Sequence, residues 1–257
     1  MFGFFIKKTF FDMWDNIFRI VLINLGFLLS FAILIYFPLL FKTVPALFYI
    51  SLFIGISILF IFTGAASKFT REIANYNSPG FHELVRYLKE TALSSFIFAV
   101  INTILLFLLS IAFPTYGNIR SVVGPIAFSL LFWISIIWIA AFQYYFPVQS
   151  QLDTKTNKIL KKMFLIFFDN TGFSIGLFIG TIFILIISVF TAFLLPGIGT
   201  IILWWNIALK LRLYKYDYLE EHPDADRKNI PWDVLLITDR EKVGKRTLKG
   251  MIFPWKE

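Results

Sequence analysis

The longest stretches without a charged residue limit the fold of this chain more than any other feature. Asp, Glu, Lys and Arg do not occur in five stretches of 22 to 40 residues, at 20–41, 43–67, 91–119, 121–152 and 170–209. A helix of about 20 apolar residues crosses the hydrocarbon core of a bilayer. Only 16% of all residues are charged and 58% are hydrophobic, whereas soluble domains have about 25% charged residues. The chain is therefore predicted to be an integral membrane protein.

The uncharged stretches predict six transmembrane helices. The first four hold one span each, at 20–41, 44–66, 91–113 and 123–146. The fifth is too long for one helix, since its 40 residues would extend about 60 Å, and Pro196-Gly197 interrupts it. We therefore expect a full span at 172–195 and a short return at 199–213, which crosses only if the charged side chains at its end extend toward the lipid headgroups. The predicted fold class is an all-α integral membrane protein with six spans, the sixth being short.

The distribution of positive charge predicts the orientation. If the N-terminus is cytoplasmic and six spans follow, 22 of the 24 Lys and Arg residues lie on the cytoplasmic side, and only Lys42 and Arg120 lie outside. Lys and Arg strongly prefer the cytoplasmic side in short loops. We therefore expect a multi-pass protein of the cell (cytoplasmic) membrane with both termini inside. The net charge of +8 then reflects topology and attraction to anionic lipids rather than nucleic-acid binding.

The polar segments divide the chain into three regions. Residues 1–19 are predicted to form an N-terminal amphipathic helix that lies in the membrane interface, with apolar and polar side chains on opposite faces. Residues 20–213 form the transmembrane domain, and residues 214–257 form a cytoplasmic tail. The composition changes abruptly at that second boundary, from an apolar to a polar and charged sequence.

The tail is predicted to dock through aromatic residues. Trp232 lies in one apolar patch, and Phe253 and Trp255 lie in a second, with a basic stretch between them. A segment of this length is too short to form a hydrophobic core of its own. We therefore expect the two patches to pack on the cytoplasmic face of the membrane domain or to bind a partner there.

A repeated order of elements suggests internal symmetry. Two further amphipathic patterns, at 78–89 and 154–168, precede the third and fifth spans in the way that the first precedes the first span. We hypothesise three units, each with one interfacial helix and one transmembrane hairpin, as in membrane folds built from parallel repeats. Asn24, Asn102 and Thr181 occupy equivalent positions in the three units, and in this hypothesis they form a polar axis.

The residues that carry chemistry in other membrane proteins are missing from the predicted spans. No ionisable residue lies within a span, although catalytic and ion-coupling sites usually need one. The chain has no Cys, and its Asp, Glu and His residues do not have the spacing of metal ligands. We therefore expect no enzymatic activity, catalytic residue, metal or cofactor. Gly172, Gly176 and Gly180 form a G-x-x-x-G-x-x-x-G pattern, which predicts close helix packing within the bundle or between protomers.

Short motifs resemble those of a known family. They are an aliphatic run around Asn24, Pro38 and Pro45-Ala46 near the first outer turn, Phe81 and Tyr87 before the third span, and Leu195-Pro196-Gly197 before an Asn-containing last helix. In these features, which cover residues 4–214, the chain resembles the YesL-like family of bacterial integral membrane proteins. The resemblance implies a multi-span inner-membrane protein, often associated with carbohydrate-uptake gene clusters and without an established activity. It assigns no site residues, and the tail lies outside it.

Two functions from different classes fit these features. The first is an accessory or scaffold component that acts with other membrane proteins, such as a transporter permease, through the glycine pattern, the interfacial helices and the tail. The alternative is a permease or channel for a small neutral solute without ion coupling, lined by the polar axis. The accessory function is favoured because a specific solute site would show more convergent polar groups. The sequence does not specify the partner, the solute or the oligomeric state.

Overall fold

The computed structural model describes residues 1–227 and 229–246, which form helices and no β-strand. The helices are α1 (Phe2–Asp15), α2 (Ile17–Leu39), α3 (Pro45–Ala74), α4 (Phe81–Asn118), α5 (Val123–Phe142), α6 (Tyr145–Gln151), α7 (Thr156–Asp169), α8 (Thr171–Phe190), α9 (Gly197–Glu221), α10 (Trp232–Leu235) and α11 (Ile237–Val243).

Five helical segments are long and apolar enough to cross a membrane. They are α2, α3, α4, α8, and α5 together with α6. Many large apolar side chains on their outer faces are exposed, including Leu29, Phe107, Trp133 and Phe183. Apolar surface of this extent is not found facing water in monomeric soluble proteins. These faces are therefore suited to contact the lipid bilayer.

The central helix of the bundle is α9. From Ile201 to Leu211 its apolar side chains are buried, except for the partly buried Trp205, against α1, α2, α3, α6 and α8. The predicted boundary between membrane domain and tail, at 213/214, lies inside this helix, which continues to Glu221. The change of composition at that boundary did not end the helix because no Gly or Pro follows before Pro223.

Residues that were predicted to form separate interfacial helices are built into the bundle. From Phe81 on, the pattern at 78–89 is the first part of α4, which continues without a break into the third predicted span; residues 78–80 precede the helix. The predicted helix at 1–19 is shorter in the structure, where α1 ends at Asp15. Its polar face was expected to be solvated, but Lys8, Thr9 and Asp12 on that face are buried. That face is buried because α9 and α11 pack against α1.

Both ends of the described chain lie at the same end of the bundle, which we call the termini end. It contains α1, α7, α10, α11 and the last turns of α3 and α9. The turns between α2 and α3, between α4 and α5, and between α8 and α9 point away from it, because successive long helices alternate in direction.

The turn between α8 and α9 lies closer to the termini end than the α2–α3 turn does. Asn24 of α2 hydrogen-bonds to backbone groups on both sides of this turn. α2 continues for 15 residues beyond Asn24, which is about 22 Å of helix. The α8–α9 turn is therefore level with the first third of α2 rather than with its end.

The contact between α3 and α9 gives the same position for the α8–α9 turn. Asn206 of α9 donates to Oγ of Ser67 in α3 at 3.0 Å, which places these two residues at one level. From Gly197, the first residue of α9, to Asn206 the helix rises about 14 Å, whereas from Pro45 to Ser67 α3 rises about 33 Å. The α8–α9 turn thus falls roughly 20 Å short of the α2–α3 turn.

Candidate functional site

Four charged residues meet at the termini end, three of them buried and the fourth, Lys210, partly buried. Lys8 Nζ lies 2.8 Å from Oδ2 of Asp12 and 4.0 Å from Oδ1 of Asp239, and Lys210 Nζ lies 3.2 Å from the same Asp239 oxygen. Lys8 is 0% exposed, and both carboxylates are also buried. We call these residues the Lys8–Asp239 cluster. They come from α1, α9 and α11, so the cluster joins the first helix of the chain to the last.

An aromatic ring covers the two cations of the cluster. Nζ of Lys8 lies 3.6 Å from the ring centroid of Tyr76, and Nζ of Lys210 lies 5.0 Å from it, within the range of cation–π attraction. The Tyr76 hydroxyl also donates to the backbone oxygen of Asp239 at 3.2 Å. Tyr76 has φ of 65° just after α3, where Gly is usual. The contacts of its ring therefore stabilise a backbone conformation that disfavours a large side chain.

Burial shifts the ionisation of the cluster. It lowers the pKa of Lys8 to about 8 despite the attraction of Asp12, and it raises the pKa of Asp12 to about 6 despite the attraction of Lys8. Burial also acts to raise the pKa of Asp239, but Lys210 and Lys8 outweigh it and hold that pKa below its usual value. The Lys8–Asp12 pair is consequently charged at neutral pH at the cost of desolvation.

Further contacts hold the tail segment 229–246 against α1. Lys7 Nζ donates to the backbone oxygen of Gly244 at 2.9 Å, and Arg246 forms an ion pair with Asp15 at 2.9 Å. Two apolar side chains of the tail, Leu236 and Val243, are fully buried. The described part of the tail is thus folded onto the bundle through polar and apolar contacts together.

Another cationic side chain, that of Arg212, contacts the tail through Trp232. The Arg212 guanidinium of α9, 7% exposed, lies 3.9 Å from the ring centroid of Phe173 and 5.1 Å from that of Trp232. It donates to Oδ1 of Asn170 at 3.2 Å. Within residues 1–227 and 229–246, no carboxylate lies within 4.0 Å of it, since Asp169 pairs with Lys215 instead. Trp232 is half-buried in this position.

The other two aromatic residues proposed for tail docking, Phe253 and Trp255, lie outside the described residues. The sequence drew attention to the tail through its aromatic residues, but it gave no sign of the Lys8–Asp239 cluster. Lys8 and Asp12 are four residues apart on one helix and were visible as a pair. Their partner Asp239 is more than 200 residues away, and only the fold brings it to them.

Polar side chains inside the bundle bind one another. Asn206 donates to the backbone oxygen of Ser67 at 3.1 Å and accepts from Oγ of Ser150 at 3.0 Å. Gln149 donates to Oγ of Ser95 at 2.9 Å and to the backbone oxygen of Thr91 at 3.2 Å. These bonds connect α3, α4, α6 and α9. Hydrogen bonds between neighbouring helices are the common role of uncharged polar residues in membranes.

The three residues of the hypothetical polar axis have separate partners. Asn24 donates to the backbone oxygens of Leu194 and Pro196, each at 2.9 Å, and accepts from the backbone nitrogen of Gly199 at 2.7 Å. Asn102 accepts from the indole nitrogen of Trp138 at 3.0 Å. Thr181 accepts from the indole nitrogen of Trp205 at 2.9 Å.

Asn102 and Thr181 line one crevice, and Asn24 is not part of its lining. The crevice has a volume of about 430 Å³ and lies between α4, α5 and α8, with single residues of α3 and α9 at its base. Its other lining residues are mostly apolar, among them Leu105, Ile139 and Phe178. No charged side chain lines it.

The glycines of α8 have different surroundings. A Cβ at Gly180 would lie 2.5 Å from the Trp204 ring, which is closer than real contacts allow, and a Cβ at Gly176 would lie 3.3 Å from the Phe2 ring. A Cβ at Gly172 would meet nothing within 4 Å. Gly176 and Gly180 thus permit close packing within the bundle, and the pattern does not form one continuous free surface.

The described part of the chain contains no group of three or more His, Asp or Glu residues that could hold a metal ion. Comparison with known proteins adds no family. The chain matches no family model, no curated protein and no solved structure.

Proposed function

We propose that this protein is an accessory or scaffold component of the cell membrane, which binds another membrane protein through the surface that its docked tail completes. The observation that carries this proposal is the Lys8–Asp239 cluster, which fixes α11 on α1 and α9. A tail held by buried ion pairs is part of the folded surface, so a partner that binds it is connected rigidly to the bundle.

The tail presents two apolar side chains that the bundle does not cover. Val234 is 64% exposed and Ile237 is 49% exposed, and they flank the buried Leu236. On the polar side of the membrane, such side chains are a typical centre of a protein contact. The partner that the YesL-like resemblance suggests is a permease for carbohydrate uptake.

The proposed topology places both termini in the cytoplasm. The separation of 22 Lys and Arg residues from Lys42 and Arg120 supports it, as does the shared position of α1 and α11 at the termini end. α9 is the sixth segment, and it returns to the termini end from a turn roughly 20 Å short of the α2–α3 turn. We therefore infer that α8 and α9 form a hairpin that turns within the bilayer, which keeps both termini on one side.

The threefold repeat remains part of this proposal. In chain order, α1 precedes the α2–α3 hairpin, the first turns of α4 precede the α4–α5 hairpin, and α7 precedes the α8–α9 hairpin. That order supports three related units. The third hairpin turns about 20 Å short of the first, so the repeat is one of order rather than of equal dimensions.

A permease for a small polar solute has less support. A path for such a solute needs free polar groups along its length. Asn24, Asn102 and Thr181 are bonded to backbone or indole groups, and the crevice between α4, α5 and α8 is lined mostly by apolar side chains.

Purification tests the accessory function. The full-length tagged protein, extracted from native membranes in a mild detergent, should retain a membrane protein in stoichiometric amount, identified by mass spectrometry. The substitution Ile237→Asp should release it by placing a charge in the contact. Thr238→Asp is the matched control, because Thr238 is exposed on the same helix and is polar. A protein that purifies alone, or a partner retained equally by both variants, would contradict the proposal.

A further inference from the structure

One residue that lines the crevice between α4, α5 and α8 has an unpaired hydrogen-bond acceptor. Gln143, 1% exposed, lines the crevice at the end of α5. Its Nε2 donates to the backbone oxygen of Ser174 at 3.0 Å, but its Oε1 has no hydrogen-bond partner. Among the crevice-lining residues, all within the described chain, no other buried side-chain oxygen or nitrogen lacks a partner.

An unpaired amide oxygen is costly in a membrane. Burying a polar group without a hydrogen bond is unfavourable, and hydrocarbon offers no water to pair it. The rest of the polar lining is already occupied: Asn102 and Thr181 accept indole protons, and Ser135 donates to the backbone oxygen of Leu131 at 2.7 Å. A ligand that donates a hydrogen bond would pair with Oε1, and a neutral donor fits best because no charged side chain lines the crevice.

The bilayer is the source of a ligand with these properties. The crevice lies between helices whose outer faces contact lipid, and its volume of about 430 Å³ falls in the range of small-molecule sites. Two of the side chains that line it, Leu106 and Ile139, are 61% and 55% exposed, so the crevice is open on its lipid-facing side. A hydrocarbon chain from the surrounding lipid can therefore enter laterally.

We propose that this crevice binds a neutral lipid alcohol, with the hydrocarbon chain along Leu105, Ile139 and Phe178 and the hydroxyl donating to Oε1 of Gln143. A diacylglycerol is a membrane lipid of this class. Glycerophospholipids lack a hydroxyl donor in the region where the chains meet the headgroup, so they satisfy the apolar lining but not Gln143.

Photolabelling of the full-length protein in phosphatidylcholine nanodiscs tests this site. The probe is a diacylglycerol with a diazirine in one acyl chain, and the comparison probe is its O-methyl ether, which lacks the donor. The diacylglycerol should label the crevice faces of α4, α5 and α8, and it should do so about threefold to tenfold more than the ether, as one hydrogen bond predicts. Gln143→Met should remove this preference.

A second variant separates binding from folding, because Gln143→Met also removes the bond to Ser174. Leu109→Trp fills the crevice and leaves Gln143 intact, so it should abolish labelling by both probes. Leu108→Trp makes the same change on the neighbouring lipid-facing residue, which is 55% exposed and does not line the crevice. It should label like the wild type. Equal labelling by the two probes, or labelling that Leu109→Trp does not reduce, would overturn the proposal.

Discussion

Asn24 joins segments that are about 170 residues apart in the sequence, and its environment explains why an amide is needed there. The turn that follows α8 exposes the carbonyl groups of Leu194 and Pro196 and the first amide groups of α9. A side chain with both a donor and an acceptor pairs with the two carbonyl groups and with the amide of Gly199 at once. At a membrane surface, water would serve instead. Within the bilayer, another protein group must do so.

Replacing Asn24 with leucine should therefore destabilise the protein. Asn24→Leu leaves two carbonyl groups and the amide of Gly199 without these partners, which we expect to lower the free energy of unfolding by about 2–4 kcal/mol. The measurement is the thermal unfolding midpoint in detergent. Ser110→Ala is the control, since Ser110 is exposed and bonds only within its own helix, and its midpoint should stay near that of the wild type. An unchanged midpoint for Asn24→Leu would mean that water reaches the turn.

At this scale, the sequence identified candidates but not their partners. Asn24 was noticed because amides are uncommon in apolar spans, and Trp232 because aromatic residues are uncommon in a polar tail. Lys8 gave no signal beyond its neighbour Asp12, since a lysine near a chain terminus is normally solvated. Its burial depends on the arrival of α11, and no local pattern describes a contact across more than 200 residues.

The sequence predicted the existence of the long helices better than it predicted how far each one extends across the membrane. Five long apolar segments were visible in the sequence because each contains an uncharged run longer than a bilayer crossing. The extent of α9 was not, because its second half contains Lys210, Arg212 and Lys215, whose charges are accommodated only by particular neighbours at the termini end. The early turn between α8 and α9 also had no signal in hydropathy, since α8 by itself is long enough to span.

Cysteine labelling can measure the depth of that turn, because the natural chain contains no Cys. We expect Thr43→Cys and Ser121→Cys, in the α2–α3 and α4–α5 turns, to react with a membrane-impermeant maleimide added to intact cells. Ala192→Cys, in the α8–α9 turn, should react at least tenfold more slowly, because a thiol in hydrocarbon stays protonated and inaccessible. All three variants should react fully after denaturation in detergent. Equal labelling in intact cells would place the third turn at the outer surface and make α9 a full crossing.

At the termini end, the first helix of the chain contacts the last described helix. α1 contributes Lys8 and Asp12, α9 contributes Lys210, and α11 contributes Asp239, with Tyr76 and Tyr214 against them. The sequence suggested that the tail either packs on the membrane domain or binds a partner, and it did not decide between these alternatives. The docking surface follows from charge pairing in three dimensions: Lys8, Asp12 and Asp239 are buried beside the partly buried Lys210. Removing any one of the four leaves an uncompensated charge.

This arrangement gives tail docking a defined pH dependence. The raised pKa of Asp12, about 6, means that the docked state binds its proton more tightly than the undocked state. Its contribution to stability therefore falls as pH rises from about 4 to 6, by at most about 3 kcal/mol. The lowered pKa of Lys8, about 8, has the opposite sign: stability rises as pH increases from about 8 toward 10.5. Docking should be weakest between pH 6 and 8. Asp239, whose pKa is lowered, loses its contribution only below about pH 4.

Amide hydrogen exchange of α11, corrected for the intrinsic pH dependence of exchange, measures this effect. Protection should decrease from pH 5 to 7 and recover above pH 8. The double variant Lys8→Met/Asp12→Leu removes both titrating groups and replaces a buried ion pair by apolar side chains, a change that is often neutral or stabilising. It should retain docking and show a flat profile over the same range, since the Lys210–Asp239 pair at 3.2 Å remains. Protection that increases between pH 5 and 7 in the wild type, or the same profile in the double variant, would show that groups other than Lys8 and Asp12 control the closure of the chain at this end.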